Sequence, residues 1–240
     1  MTPGPVAVPR DVPGLVSVVL PVCDQEDHIR AIVDAYRDDL VRLGRPVEIV
    51  LVTNGCSDDS PAVCAKLAAD HPDVRALDLD SAGWGAAVRA GLRAASGEVL
   101  CYTNSARTRP EMLTLMLVYA VAYPGVVLKA NRKIRDNWRR RLGSLLYNLE
   151  CRALFDLPVW DINGTPKVFP RRFDRLLDLR RDDDLIDLEF NWVCKREDYP
   201  VVEVPILATR RAGGRSTTGY WAAARMYLGA LRLHRQARSG

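Results

Sequence analysis

Short apolar runs alternate with longer amphipathic stretches along the first hundred residues of this chain. Four runs rich in β-branched residues predict strands, at 15–22, 47–52, 74–79 and 98–102. Amphipathic stretches predict helices between them, at 26–43, from the capping residues 57–60 to 69, and at 85–95. The near-continuous apolar character of LVSVVLPV (15–22) is typical of a strand that is buried on both faces. This β-α-β alternation predicts an α/β fold with a mostly parallel sheet and right-handed crossovers.

The second half of the chain has a more mixed pattern. Helices are predicted at 110–122, 138–155, 188–195 and 219–238, and strands at 125–130 and 201–206. Residues 1–14 contain four prolines and two glycines and predict a flexible lead-in before the domain begins. A length of 240 residues suits a single α/β domain, because two separate cores would leave each half small.

Composition and charge exclude several classes of protein. The net charge of +4 is compatible with anionic substrates but too small, without a local basic motif, to indicate a nucleic-acid-binding protein. The six cysteines are scattered without zinc-ligand spacing, and no signal-peptide pattern opens the chain, so we expect reduced thiols and a cytoplasmic location. The longest apolar stretch ends at Pro124-Gly125 and is too short to span a bilayer. Contact with the inner face of a membrane is therefore expected to be at most peripheral.

A parallel sheet of this kind places its ligand crevice outside the carboxyl ends of its strands. The chain segments at those ends are 21–26, 53–58, 80–85 and 103–109. Five segments in and beyond them resemble the family-2 glycosyltransferases, especially polyprenyl-phosphate sugar transferases of the dolichol-phosphate mannose synthase type. They are SVVLPVCDQEDHI (17–29), EIVLVTNGCSDDS (48–60), AGWGAAVRAGLRAASGEVLCYTN (82–104), DINGTPKVFPR (161–171), and DLE with VVEVPI and RRAGGRS (187–216). Their ordered conjunction carries the resemblance, since no single segment is decisive.

The resemblance implies a single GT-A domain over residues 15–240 that moves a sugar from a nucleotide-sugar donor to an acceptor. It implies a donor-binding half at 15–109, an acceptor half at 110–218 and a C-terminal helix at 219–240. The acceptor is expected to be a polyprenyl phosphate or another small molecule. The implied nucleotide-sugar pocket contains Pro21, Cys23, Asp24, Gln25, Asn54, Gly83, Trp84, Thr103, Asn104 and Ser105. Two alternatives stay open at this point: Asp24 and Asp58 can serve as helix caps, and Trp84 as a packed aromatic side chain.

The departure from the family pattern concerns metal binding. The family's Asp-x-Asp motif, which holds Mg²⁺ or Mn²⁺ against the donor diphosphate, is replaced by Thr103-Asn104-Ser105. Thr53-Asn54 likewise replaces paired acids, and Gln25 replaces a frequent Glu. We therefore expect no metal cofactor, with the diphosphate charge neutralised by cationic side chains or backbone N–H groups. Binding of Mg²⁺ or Mn²⁺ by other carboxylates stays open as an alternative. The candidate side chains are Arg107, Arg109, Lys129, Arg132 and Lys133, although a solvated rim would have the same composition.

The acidic pair Asp187 and Glu189 aligns with the family's acidic motif near the acceptor and is the predicted catalytic pair, preferred over Asp161. Their i, i+2 spacing points them to different faces of a helix. The predicted phosphate- and acceptor-binding residues are Arg132, Arg211, Arg215 and Ser216. A frequent family Lys is replaced by Thr217, which argues against a lipid phosphate. Two other functions stay open, namely an inactive protein that binds nucleotide sugars and a peripheral membrane or scaffold protein with a basic C-terminal helix.

Overall fold

The apolar runs form the centre of an α/β sandwich in a computed structural model, which describes residues 12–134, 138–207 and 220–238. The strands are β1 (Val12–Val22), β2 (Val47–Asn54), β3 (Val74–Leu79), β4 (Gly97–Tyr102), β5 (Val127–Ile134), β6 (Lys167–Pro170) and β7 (Val201–Leu207). The helices are α1 (Ile29–Leu40), α2 (Ser60–Asp70), α3 (Trp84–Ala94), α4 (Pro110–Ala122), α5 (Trp138–Phe155), α6 (Ile186–Arg196) and α7 (Tyr220–Arg238). Short 3-10 helices follow α1 at Val41–Leu43 and precede α6 at Asp174–Leu177.

The seven strands form one sheet in the order β3-β2-β1-β4-β6-β5-β7. Pairing is parallel between β1 and β2, β1 and β4, β2 and β3, and β5 and β7. Strand β6 alone is antiparallel to its neighbours β4 and β5. Because β6 is antiparallel to both β4 and β5, β5 runs in the same direction as β4. The carboxyl ends of β1 to β5 therefore lie at the same edge of the sheet. This geometry brings the second half of the chain to the edge that carries the first four strand ends.

Both faces of the sheet are buried, as the apolar runs predict. Alternate residues of β1 such as Val18 and Leu20 pack with α1, α2 and α4 on one face. Val19 of the same strand packs with α3 and α6 on the other face, because successive side chains of a strand point to opposite sides. A third apolar cluster joins α5 and α7 to the start of α6, with Leu188 and Ala230 fully buried. Helix α6 thus packs against apolar clusters on two sides, and this packing fixes the position of the acidic residues that it carries.

The predicted α/β sheet is confirmed, and three element boundaries match: those of β3, α4 and α5. Strand β6 was missed because it is only four residues long and opens with a charged residue, Lys167. Strand β1 begins at Val12, inside the predicted lead-in of residues 1–14. Helix α1 begins at Ile29 instead of 26, because the Gln25 carbonyl accepts hydrogen bonds from the His28 and Ile29 N–H groups in a turn.

Candidate functional site

The loops that follow β1 and β2 are joined by reciprocal side-chain to backbone hydrogen bonds. The Asp24 carboxylate accepts the Ser57 N–H at 2.7 Å, and Glu26 accepts the Asp59 N–H at 2.7 Å. Asp58 accepts N–H groups from Glu26 and from Ser60, each at 3.0 Å. Burial would raise the pKa of Asp58, but these hydrogen bonds outweigh burial and lower the pKa below its usual value. Asp58 therefore fixes the turn that leads into α2, whose N-cap residue is Asp59, whereas Asp24 fixes the neighbouring loop.

Asn54, at the end of β2, is buried and uses both ends of its amide within the protein. Its Nδ2 donates to the Val22 carbonyl at 2.8 Å, and its Oδ1 accepts the Gly83 N–H at 3.1 Å. The side chain therefore joins the end of β1 to the loop between β3 and α3. Direct contact of Asn54 with a nucleotide stays a prediction.

The segment that replaces the Asp-x-Asp motif is also held by internal hydrogen bonds. The Ser105 hydroxyl donates to Gln25 Oε1 at 2.7 Å, and the Thr103 hydroxyl lies 2.6 Å from the Thr108 hydroxyl. Thr103 and Ser105 are buried, and Asn104 is half-buried between them. The Thr103 and Ser105 hydroxyls are neutral and already engaged with protein partners. Residues 103–105 contain no carboxylate to supply the negative charge that a divalent cation favours in its ligands.

One group of acidic and thiol side chains comes together elsewhere at this edge. Within the described residues, potential ligand atoms of Asp24, Cys56 and Asp58 lie within 4.8 Å of one another. Asp24 and Asp58 already accept the backbone hydrogen bonds given above, and Cys56 Sγ lies 3.6 Å from the Val22 carbonyl oxygen. The group has a structural role in the loops, and we assign no metal to it.

The amino-terminal end of α3 is covered by the loop that precedes α6. The Asp182 carbonyl accepts the Ala86 N–H at 3.1 Å. A Cβ added to Gly85 would lie 2.4 Å from the Arg181 carbonyl oxygen, so only glycine allows this close approach. Trp84 is half-buried with its ring against Tyr102, and its indole N–H has no hydrogen-bond partner among the described residues. Gly83 and Trp84 lie at the start of α3, and their contact with a nucleotide sugar stays a prediction.

Asp187 is buried and has two strong partners. Its Oδ1 accepts the Tyr102 hydroxyl at 2.9 Å and forms an ion pair with the Lys167 ammonium, a fully buried group. Burial lowers the pKa of Lys167 to about 8, even though the neighbouring Asp187 carboxylate acts in the opposite direction. The pair joins β6 and α6 next to the Thr103 segment. Asp187 thus has a structural partner that the sequence did not reveal.

Glu189 is directed to another place, the loop that covers α3. Its carboxylate accepts the Arg180 N–H at 3.0 Å and the Arg181 N–H at 2.9 Å. Asp187 and Glu189 accordingly serve different elements, which agrees with the expectation that they point to different faces. Their predicted catalytic roles stay predictions.

Asp161 and Arg132 form a bidentate ion pair at the carboxyl edge of β5. Arg132 Nε and Nη2 lie 2.7 Å and 2.8 Å from the two carboxylate oxygens. Lys129 is fully buried, donates to the Asp161 carbonyl and lies 2.9 Å from Glu203 Oε1. Of the predicted phosphate-binding cations, Lys129 and Arg132 are therefore already paired.

The positions of the other predicted site residues do not indicate a specific role. Pro21 is buried in β1 and Cys23 is half-buried just after it. Arg107 lies in the turn after β4, and Arg109 precedes α4. Arg211, Arg215 and Ser216, like the Lys133 side chain, lie outside the described residues.

The sequence prediction missed Lys167 as a central residue of this edge. A lysine inside the otherwise apolar run KVFP was the available signal, because a charge in a buried strand needs a partner. The Arg180–Arg181 loop was also missed, since its contacts come from distant glycines and from Glu189.

The model of the family "Glycosyl transferase family 2" matches residues 17–177 of this chain. An undecaprenyl-phosphate 4-deoxy-4-formamido-L-arabinose transferase from Serratia proteamaculans is 26% identical over 208 residues, covering 84% of this chain and 62% of that protein. Its counterpart from Pectobacterium carotovorum is 30% identical over 142 residues, covering 57% and 43%. The chain thus spans 43% to 62% of the length of these two relatives.

Among solved structures, the chain is similar to glucosyl-3-phosphoglycerate synthase from Mycobacterium tuberculosis. In its complex with Mn²⁺, UDP-glucose and phosphoglyceric acid, the TM-score is 0.70 at 17% identity, with 92% of this chain and 80% of that chain covered. The complex with Mg²⁺ and UDP gives 0.69 at 18% identity, with 92% and 79% covered. At this identity the likeness shows the GT-A fold. Because the family model matches well over half of the sequence, this chain belongs to glycosyl transferase family 2.

Proposed function

We propose that this protein transfers a sugar from a nucleotide-sugar donor to an acceptor phosphate, without a resident divalent cation. The observation that carries the proposal is the set of neutral, hydrogen-bonded residues at the strand ends, with Ser105 bonded to Gln25 and Asn54 to Gly83. The chain has amides and hydroxyls at the strand ends where the resemblance implies acids that would hold a metal. Family membership supports the reaction class, and the residue types support the absence of the metal.

The donor is proposed to lie over the carboxyl ends of β1 to β4, the usual ligand position in such sheets. Trp84 lies at this edge, at the start of α3, and its buried indole N–H has no hydrogen-bond partner among the described residues. A diphosphate leaving group develops negative charge, which backbone N–H groups and arginine side chains can stabilise. The solved neighbours contain UDP or UDP-glucose together with Mn²⁺ or Mg²⁺, so UDP-sugars are the first donors to test.

The acceptor is proposed to be a phosphate because both candidate bases are engaged. Asp187 is paired with Lys167, and Glu189 holds backbone N–H groups of the Arg180 loop. An acceptor hydroxyl needs a base to take its proton, whereas a phosphate is already an anion. The relatives are named as undecaprenyl-phosphate transferases, which supports a polyprenyl phosphate.

The first prediction concerns the donor and its metal dependence. A panel of nucleotide sugars should include one that raises the melting temperature of the protein, and the shift should be unchanged in EDTA, because Thr103 and Ser105 offer no carboxylate. Calorimetry on the same donor should give the same affinity with Mn²⁺, with Mg²⁺ and with chelator. Transfer of labelled sugar to undecaprenyl phosphate should likewise survive EDTA.

Loss of donor binding or transfer in EDTA, with recovery on adding Mn²⁺, would overturn metal independence. Donor binding without transfer to any acceptor would instead favour an inactive nucleotide-sugar-binding protein. The engagement of Asp187 and Glu189 by internal partners is the observation that favours that second function.

The second prediction concerns the location of the protein. Across the described residues no helix has both the length and the apolar character needed to cross a membrane. Exposed leucines on α5 and α7, at Leu145, Leu146, Leu149, Leu228 and Leu231, accompany Arg232 and Arg235. We propose that this surface rests on the inner face of the membrane, so we expect co-sedimentation with anionic vesicles at low salt.

A matched pair of variants distinguishes vesicle binding by this surface from non-specific adsorption. Leu228→Glu should abolish vesicle binding, whereas Leu115→Glu, an equally exposed leucine on α4, should leave it intact. Protein that stays in the supernatant with anionic vesicles would remove the membrane from the proposal and favour a soluble acceptor.

A further inference from the structure

We propose that Gln25 and Asn54 form an amide latch that positions the two loops facing the donor, and that Asn54 acts through the Gly83 turn and not by touching the nucleotide. The inference rests on the proposed function for its consequence on donor binding. The loops concerned are 80–83, between β3 and α3, and 103–109, between β4 and α4. Each is joined by one amide side chain to the strand ends beside it.

Asn54 has the geometry of a positioning residue. Its Nδ2 donates to the Val22 carbonyl at 2.8 Å and lies 3.4 Å from the Val52 carbonyl, while Oδ1 accepts the Gly83 N–H at 3.1 Å. The donor and the acceptor ends of the amide are thus each matched to a backbone partner. Because Asn54 is buried, losing either hydrogen bond leaves a polar group without compensation.

The next residue holds the same loop by close packing. Gly55 has φ of +54°, and a Cβ there would lie 2.6 Å from the Ala82 nitrogen. Its N–H donates to the Leu79 carbonyl at 3.0 Å. Two consecutive residues of the β2 end therefore fix the path of the loop that leads to Trp84.

A carboxylate at position 54 cannot make this arrangement. It can accept the Gly83 N–H, but it has no proton to donate to the Val22 carbonyl, and two oxygens would then face each other. An amide supplies both functions, and so does a protonated carboxyl group. The structure therefore gives a local reason for asparagine where the resemblance implies an acid.

Gln25 is the second half of the latch and has a different requirement. Its Oε1 accepts the Ser105 hydroxyl at 2.7 Å, and its backbone N–H donates to Ser60 Oγ at 2.7 Å. A carboxylate at position 25 keeps this side-chain acceptor, because the hydrogen bond from the Ser105 hydroxyl uses only the Oε1 atom. The latch thus predicts an asymmetry: an acid is tolerated at position 25 and disruptive at position 54.

The test compares Asn54→Asp, Asn54→Ala and Gln25→Glu, with Asn131→Ala as a control. Asn131 is a buried asparagine on β5, bonded to Glu203 and separated from β2 by three strands. In the protein without ligand at pH 8, both Asn54 variants should show faster amide hydrogen exchange in residues 80–86, and Gln25→Glu and the control should not. Affinity for the donor identified above should fall about 10- to 100-fold in the Asn54 variants, as a rise in donor KM with kcat largely retained.

The pH dependence supplies a readout that general destabilisation would not produce. Lowering the pH protonates the carboxyl group in Asn54→Asp and restores a donor to the Val22 carbonyl. Exchange protection and donor affinity, each measured relative to the unmodified protein at the same pH, should therefore recover for Asn54→Asp and not for Asn54→Ala.

Three outcomes would overturn the latch. They are unchanged exchange of residues 80–86 in Asn54→Asp, donor affinity equal to or tighter than that of the unmodified protein in that variant, or an equal loss of exchange protection in residues 80–86 in Gln25→Glu. The exchange experiment needs no ligand. Failure to bind any nucleotide sugar would thus contradict the proposed function while leaving the exchange result to decide the latch.

Discussion

Lys167→Met should destabilise the protein by about 3–5 kcal/mol, the cost of leaving one charge of a buried ion pair without its partner. The Lys167 ammonium is fully buried and pairs with Asp187. In the variant, the Asp187 carboxylate would lose this cation and keep the hydrogen bond from the Tyr102 hydroxyl. Chemical unfolding in urea would measure the loss as a lower midpoint at similar slope.

Two further variants make the Lys167 result specific. Lys167→Met combined with Asp187→Asn should recover most of the stability, because both charges are removed and the amide oxygen can still accept the Tyr102 hydroxyl. Lys195→Met removes a lysine from the exposed pair with Asp156 and should have a much smaller effect. A double variant that is no more stable than Lys167→Met would contradict a pairwise interaction.

The protein should also lose about 4 kcal/mol of stability between pH 9 and pH 10 under reducing conditions. About 3 kcal/mol of this is the net effect of four buried thiols and one buried lysine, and the rest comes from Tyr36, Tyr102 and Tyr147, whose pKa values burial raises. Burial raises the pKa of the Cys64, Cys151 and Cys194 thiols to about 12 and acts in the same direction on Cys101, from an ordinary value near 9. In this range the unfolded chain releases thiol protons that the folded chain keeps, so the free energy of unfolding falls as pH rises.

One buried group acts in the opposite direction. The pKa of Lys167 is lowered by burial to about 8, so between about pH 8 and pH 10.5 the unfolded chain binds the proton that the folded chain has lost. The Lys167 contribution therefore raises stability as pH rises, by about as much as one of the four thiols lowers it. Urea unfolding at pH 8, 9 and 10 measures how fast the free energy of unfolding falls with pH. Cys64→Ala should make this fall smaller by the contribution of one thiol. A stability that is constant or rising over this interval would contradict the assignment.

The proposed donor edge could be predicted from the sequence because its residues directly follow strands. Once LVSVVLPV and VEIVLV are recognised as parallel strands, Gln25 and Asn54 must lie close to Thr103 and Ser105, at the same edge of the sheet. The partners of these side chains could not be predicted. The Gly83 N–H and the Ser105 hydroxyl come from loops whose paths depend on packing.

The acceptor half was harder to predict because its contacts cross the antiparallel insertion. Strand β6 brings Lys167 beside Tyr102, whereas Lys129 lies opposite Lys167 on β5. The four residues of β6, which follow Pro166 and end with Pro170, carry no periodic signal, and sequence reasoning left them outside the sheet. The engagement of Asp187 by Lys167 could not be predicted for that reason.

The sequence by itself determined the architecture and the family of this protein. Apolar periodicity specifies buried parallel strands and their helices, and the ordered motifs specify the type of crevice. Only the tertiary structure decided which polar side chains are engaged. Asp187 and Glu189 lie two residues apart, yet one pairs with Lys167 and the other holds the Arg180 loop, because i and i+2 positions of a helix point to different sides. The physical reason is general: burial selects hydrogen-bond partners by distance in space, and most of these partners lie 20 to 90 positions apart in the chain.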